Sequence, residues 1–272
     1  MPAPTTDLPD FDALWNYDDP ATTERQFRVV LAGAQQSADR SYHVELLTQV
    51  ARAQGLQRKF AEAHATLDTA ETLLVPTLNT ARIRYLLERG RVFNSAQQAE
   101  QAQPLFQQAW DLAQAAQQDF YAIDAAHMLA IVTSGEQQLE WNLRALALAQ
   151  QSSQPRARSW QGSLYNNIGW THHDAGRYEQ ALDMFHKALL EREATGSAEQ
   201  IRIARWCIAR CLRSLGRFEA ALNIQRELLT ELEQTGEKDV YVFEELAENL
   251  LALNQPAAAE AYFALARAER AG

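Results

Sequence analysis

The sequence is short of every residue that interrupts a helix or staples a loop. Of its 272 residues only eight are proline, and four of those fall within the first twenty; the others are Pro76, Pro104, Pro155 and Pro256. Long Ala-, Leu-, Gln- and Arg-rich stretches therefore meet almost nothing that breaks a helix. No alternation of Val, Ile and Thr persists and no Asn-Gly or Asp-Gly pair marks a hairpin turn, so strands are not expected. Cysteine occurs twice, at Cys207 and Cys211, too seldom for a disulfide framework and in keeping with a reducing compartment. No apolar run is long enough to cross a membrane. The opening Met1-Pro2-Ala3-Pro4 has neither the basic flank nor the apolar centre of a signal peptide, so a cytoplasmic location is expected. A cationic surplus is also lacking. Lys+Arg number 25 against 35 Asp+Glu, a net charge of −10, which argues against nucleic acid and anionic membranes as partners.

What the chain does have is a repeat. The segment Tyr165-x-x-Ile168-Gly169-x-x-His172, followed by Gly176-Arg177-Tyr178 and Ala181-x-x-x-Phe185, recurs in weaker form along the sequence. Its small residue reappears at Ala51, Gly90, Ala130, Gly169, Ala209 and Ala247, in steps of 39, 40, 39, 40 and 38. An alanine follows twelve residues later at Ala63, Ala102, Ala181, Ala221 and Ala259. Small residues at this spacing let two antiparallel helices approach closely, and Tyr178, Phe185, Phe218 and Phe263 are expected to fill the groove between adjacent hairpins. Gly176 and Gly216 are expected to end helices in the left-handed conformation. The third copy departs from the pattern: its turn, Ser134-Gly135, is short, and its second helix around Trp141 to Leu148 is expected about four residues out of place.

These residues resemble the tetratricopeptide repeat (TPR) family, whose signature is W-x2-L-G-x2-Y…A-x3-F…P. The copy from Tyr165 to Ala188 matches best, and the resemblance covers roughly residues 40–270. The usual period is 34 residues; here it is 38–40, like the long-repeat variety of kinesin light chains and bacterial peptide receptors. The resemblance implies an all-α, right-handed α-α superhelix of about six helical hairpins plus an N-terminal capping helix. The expected organisation is an arm over 1–19, a capping helix over 20–38 and an array over 40–272. Its approximate copies are 43–75, 82–117, 120–151, 160–194, 200–234 and 239–270. The Asp19-Pro20 start supports the capping helix. The arm carries Leu8, Phe11, Leu14, Trp15 and Tyr17; it either packs on the first hairpin or covers the groove.

Recognisable catalytic chemistry is missing. There is no phosphate-cradling glycine loop, no Gly-x-Ser-x-Gly and no His-Glu-x-x-His. His172 and His173 are adjacent and point about 100° apart on a helix, so they do not share a metal, and His172 falls where the family places a packing Tyr. Cys207 and Cys211 share one helix face but have no second pair to complete a zinc site, and read as core. Glu244, Glu245 and Glu248 read as a solvated acidic face. No enzyme activity, metal or cofactor is expected.

In the family fold the first helix of each hairpin lines the concave surface. The matching positions here make Arg52, Arg84, Arg91, His127, Asn166, Asn167, Trp170, His173, Trp206, Arg210 and Arg213 the candidate groove residues. Asn166 and Asn167 suggest grips on a peptide backbone, or else hydrogen bonds between helices. Trp170 and Trp206 suggest interface anchors, or else packing between hairpins. The arginines suit a carboxylate-bearing ligand, with pairing to local Glu as the plain alternative. The expected function is a non-catalytic adaptor whose groove binds a peptide or protein segment. The alternatives are a peptide-responsive regulator acting through a separate effector, and a protein that self-assembles as a homodimer through its C-terminal helix.

Overall fold

A computed structural model describes residues 8–195 and 198–271; residues 1–7 of the expected arm lie outside the described part. Every regular element among the described residues is helical. The chain forms two compact units, Met1–Arg158 and Ser159–Gly272.

The first unit opens with a 3-10 turn, Phe11–Leu14, and helix α1, Pro20–Ala34. Asp19 caps α1 through the Thr22 backbone N–H, with Pro20 in the first turn where its missing N–H is harmless. Three hairpins follow: α2 (Arg40–Leu56) with α3 (Phe60–Leu73), α4 (Asn79–Ser95) with α5 (Ala99–Ala115), and α6 (Asp119–Val132) with α7 (Gly135–Gln151). The four-residue α8 (Pro155–Arg158) closes the unit. The second unit contains α9 (Gln161–Asp174) with α10 (Tyr178–Thr195), α11 (Ala198–Ser214) with α12 (Phe218–Thr235), and α13 (Val240–Ala252) with α14 (Pro256–Ala271). Helices of 17 residues in α2, α4, α5, α7 and α11 and of 18 in α10 and α12 account for the long period.

The small residue of each first helix has a sharper purpose than helix approach alone. A Cβ added at Gly90 would lie 2.4 Å from the Phe106 ring, and one at Gly169 would lie 2.5 Å from the Phe185 ring. Both rings are fully buried, so neither has room to retreat. Phe185 therefore fills its own hairpin, against Gly169, rather than the groove between hairpins that the pattern suggested. Where the small residue is Ala51 or Ala130, the residue sixteen positions on is the buried, slimmer Leu67 or Leu146.

The turns repeat more strictly than the glycines do. Seven residues after the small residue the backbone is left-handed at Arg58 (φ 61°), Gln97 (φ 62°), Gly176 (φ 73°), Gly216 (φ 73°) and Asn254 (φ 59°). The next residue then donates its N–H to the carbonyl five residues back, as in Gln98 to Phe93 (2.9 Å) and Arg177 to His172 (2.9 Å). Glycine occupies only two of these five positions. The third hairpin uses another turn, with Gly135 at φ 60°. Helix α7 does start four residues early relative to the other second helices, but its buried face keeps register: Asn142 takes the alanine slot and Leu146 the large one.

Candidate ligand-binding faces

In the first unit, α2, α4 and α6 present a face built from charges that neutralise one another. Arg52 pairs with Glu88 at 3.0 Å, and Arg91 reaches the same carboxylate at 2.7 Å and also Asp124 on α6. Glu88 and Asp124 are buried, so each needs this compensation. Burial alone would raise the Asp124 pKa, but Arg91, with Arg52 and His127 adding to it, holds the carboxyl below its ordinary value. His127 is pushed below the ordinary histidine value, chiefly by burial and against the pull of Asp124. Arg84 is 7% exposed and lies 3.4 Å from Glu45. It also donates to the Tyr121 hydroxyl on α6 at 3.1 Å, and a further partner comes from outside the hairpins: Asp12, on the 3-10 turn of the arm. The described part of the arm thus rests on this face. Trp15 Nε1 donates to Gln49 Oε1 at 3.0 Å, the Tyr42 hydroxyl donates to the Pro9 carbonyl at 2.7 Å, and the Arg52 guanidinium sits 5.8 Å from the Trp15 ring.

The second unit differs in kind. Helix α11 touches α13 sparingly, much as α4 touches α6, but here the wedge between them opens onto a cavity of about 970 Å³. Trp170, Trp206 and Tyr241 form an aromatic ladder along it, with successive ring centroids 6.2 Å apart. Ile203 and Tyr241 are exposed, at 52% and 57%, while Leu228, Leu232 and Val242 form the buried floor. The Trp206 Nε1 donor is shielded from solvent yet has no acceptor. At the rim, Arg202 pairs with Glu237 at 2.8 Å beside Lys238 and Glu199. The size and the mainly apolar wall, with few polar groups, are those of a ligand cleft.

The sequence-derived candidates divide between these faces. Arg52, Arg84, Arg91 and His127 belong to the charged face, where the three arginines already hold carboxylates. Asn166, Trp170 and Trp206 line the cleft. The Asn166 amide oxygen accepts from the Cys207 thiol at 3.3 Å, and Asn167 borders a smaller hollow beside Ser163 and Arg192. Arg213 grips Glu245 through two bonds of 2.8 and 2.9 Å, and Arg210 reaches it at 3.2 Å. His173 is buried rather than open to a groove, with Nε2 2.9 Å from Ser214 Oγ. Burial, then Arg210, lowers its pKa against Asp174. His172 is half-buried at the helix end, where it accepts from Arg177 Nε at 2.9 Å, rather than core. Glu245, read as part of a solvated face, is 5% exposed. Burial pushes the Cys207 thiol up to about 12 and the Cys211 thiol to about 11. Among the described residues no group of three or more His, Cys, Asp or Glu is placed to hold a metal, and no helix is long and apolar enough to cross a membrane. The sequence reading missed Arg202, Ile203, Leu228 and Leu232, because it scored only positions beside each small residue. The floor leucines belong to a second helix, and only the splaying of α11 from α13 uncovers them.

Residues 162–194 match the tetratricopeptide repeat family. No curated protein matches the chain by sequence. Among solved structures it is similar to the apo form of RapI, at 13% identity over 94% of this chain and 75% of that one, with a TM-score of 0.72. A signal-transduction ATPase of Pyrococcus horikoshii with a tetratricopeptide repeat sensor aligns at 14% identity over 93% and 42% of the two chains, TM-score 0.73. NprR in complex with its cognate peptide NprX aligns at 16% identity over 94% and 76%, TM-score 0.56. At these identities the likeness is one of fold. The chain carries a tetratricopeptide repeat and folds as a long-repeat TPR solenoid.

Proposed function

We propose that this TPR solenoid is a non-catalytic interaction protein whose second unit takes an apolar–aromatic segment of a peptide or protein partner in the cleft between α11 and α13. The observation that carries this reading is the open aromatic ladder of Trp170, Trp206 and Tyr241 along the cleft. Tryptophan and tyrosine supply large contact area at low ordering cost. The peptide in the NprR structure lends support by analogy of fold alone. Because Glu245 already supplies the carboxylate for Arg210 and Arg213, recognition is assigned to the aromatic ladder, with Asn166 beside it.

Panning a random peptide display library against the full chain tests this. Enriched peptides should carry at least two apolar or aromatic residues, and should lose about tenfold or more in affinity for Ile203→Glu and Trp206→Ala proteins of unchanged helicity. Equal binding to Ile203→Glu, or no enrichment, overturns the assignment. Light scattering on the same samples separates a partner-binding cleft from self-association.

A further inference from the structure

The arm meets the first unit through contacts that ordinarily recognise a ligand. Asp12 receives two bonds from the Arg84 guanidinium, Nη2 to Oδ1 at 2.5 Å and Nη1 to Oδ2 at 3.2 Å, a forked geometry specific for a carboxylate. The Phe11 ring packs 5.0 Å from that guanidinium and is the one buried side chain of the 3-10 turn. Trp15 is held at its ring nitrogen by Gln49, and Pro9 by its backbone carbonyl through Tyr42. Side chains of α2 and α4 thus read an aromatic residue, a carboxylate, an indole and a backbone oxygen. The segment itself contributes little structure: one turn, followed by exposed Asn16 to Asp19. Residues 8–19 contain four acids and no base, opposite a face bearing Arg52, Arg84 and Arg156, the last 3.8 Å from Asp12. With the arm lifted, Arg84 would lose its forked carboxylate and keep the Tyr121 hydroxyl at 3.1 Å and Glu45 at 3.4 Å, while its Nε has no acceptor.

From this geometry we infer that the α2–α4 face is a second binding site, for an acidic–aromatic peptide of the form aromatic-Asp-x-x-Trp, and that residues 9–17 are its tethered internal occupant. Tethering gives the arm a high effective concentration, so a partner segment in trans competes with it rather than finding an empty site. The proposal concerns the first unit and does not depend on the cleft of the second.

The test severs the tether in the full chain. A protease site is inserted between Tyr17 and Asp19, the chain is cut, and the released arm is removed by gel filtration. A fluorescein-labelled peptide of residues 8–18 is then titrated by anisotropy. The cut protein should keep its helical circular dichroism and bind one peptide per chain. The uncut protein, and the Asp12→Asn peptide on the cut protein, should bind about tenfold or more weaker. An Arg84→Gln chain treated alike should lose the preference for Asp over Asn. Unfolding once the arm is gone would make the arm an integral part of the fold and overturn the proposal. So would equal binding to cut and uncut chains, indifference to Asp12→Asn, or an arm that stays on and never exchanges with labelled peptide.

Discussion

Glu245 holds Arg213 at 2.8 and 2.9 Å and Arg210 at 3.2 Å while 5% exposed, so its loss leaves two guanidinium groups short of an anion in a partly shielded place. Glu245→Ala should destabilise the protein by about 3 kcal/mol, and Arg213→Ala by less, since Arg210 still neutralises the carboxylate; urea unfolding distinguishes the two. Both buried thiols are raised, to about 12 and about 11, so Cys207 and Cys211 should resist iodoacetamide at pH 8 in the native state and react on unfolding, as read by mass. His127 and His173 have folded pKa values below the ordinary 6.5. The unfolded chain therefore binds more protons than the native one as pH falls below 6.5, and stability should decline there. His173→Gln should flatten part of that slope in melts taken between pH 7.5 and about 5. At this scale the sequence was legible only in part. It placed the arginines and tryptophans on first helices, but their partners lie 36 residues on for Arg52 with Glu88, 33 for Arg91 with Asp124 and 32 for Arg213 with Glu245. Each is one repeat away, and only packed helices reveal which carboxylate the guanidinium meets.

At the scale of the element, two substitutions separate what a helix prefers from what its hairpin allows. Alanine is a better helix former than glycine by about 1 kcal/mol, yet Gly90→Ala should destabilise by about 1–3 kcal/mol because the Phe106 ring occupies the added methyl's space. Gln97→Gly should act in the opposite sense, stabilising by about 1 kcal/mol by relieving a side chain from the left-handed turn. Thermal and urea melts of the pair give the sign. A Gly90→Ala protein as stable as wild type would mean that α4 and α5 slide apart without penalty. The alternation of small and large residues was visible as a period, but its reason was not. Spacing shows that Gly169 and Phe185 recur together, whereas the ring's position against the helix emerges from the folded hairpin. The third hairpin makes the same point: its early start was legible from the short turn, its retained buried register was not.

For the molecule as a whole, each unit buries its own core. One cluster in the first unit joins Phe27, Val50, Leu67, Leu87 and Phe106, and the second unit has two of its own, one around Phe185 and Cys211 and one around Leu228 and Leu246. In a solenoid each repeat is stabilised by its neighbours, so residues 159–272 expressed alone should keep helical circular dichroism and melt cooperatively, and a featureless spectrum would refute their autonomy. By itself the sequence determined that this protein is an all-α, long-repeat TPR solenoid, because a period held over six copies and a near-absence of helix breakers admit little else. Only the tertiary structure decided which face is sealed and which is open. In the first unit the arm, the arginines and their carboxylates meet and neutralise one another. In the second the splaying of α11 from α13 leaves Trp206 and Ile203 bordering a cavity. Helix periodicity is a local property of neighbouring residues, whereas charge pairing and cleft opening depend on side chains a full repeat apart, brought together by packing alone.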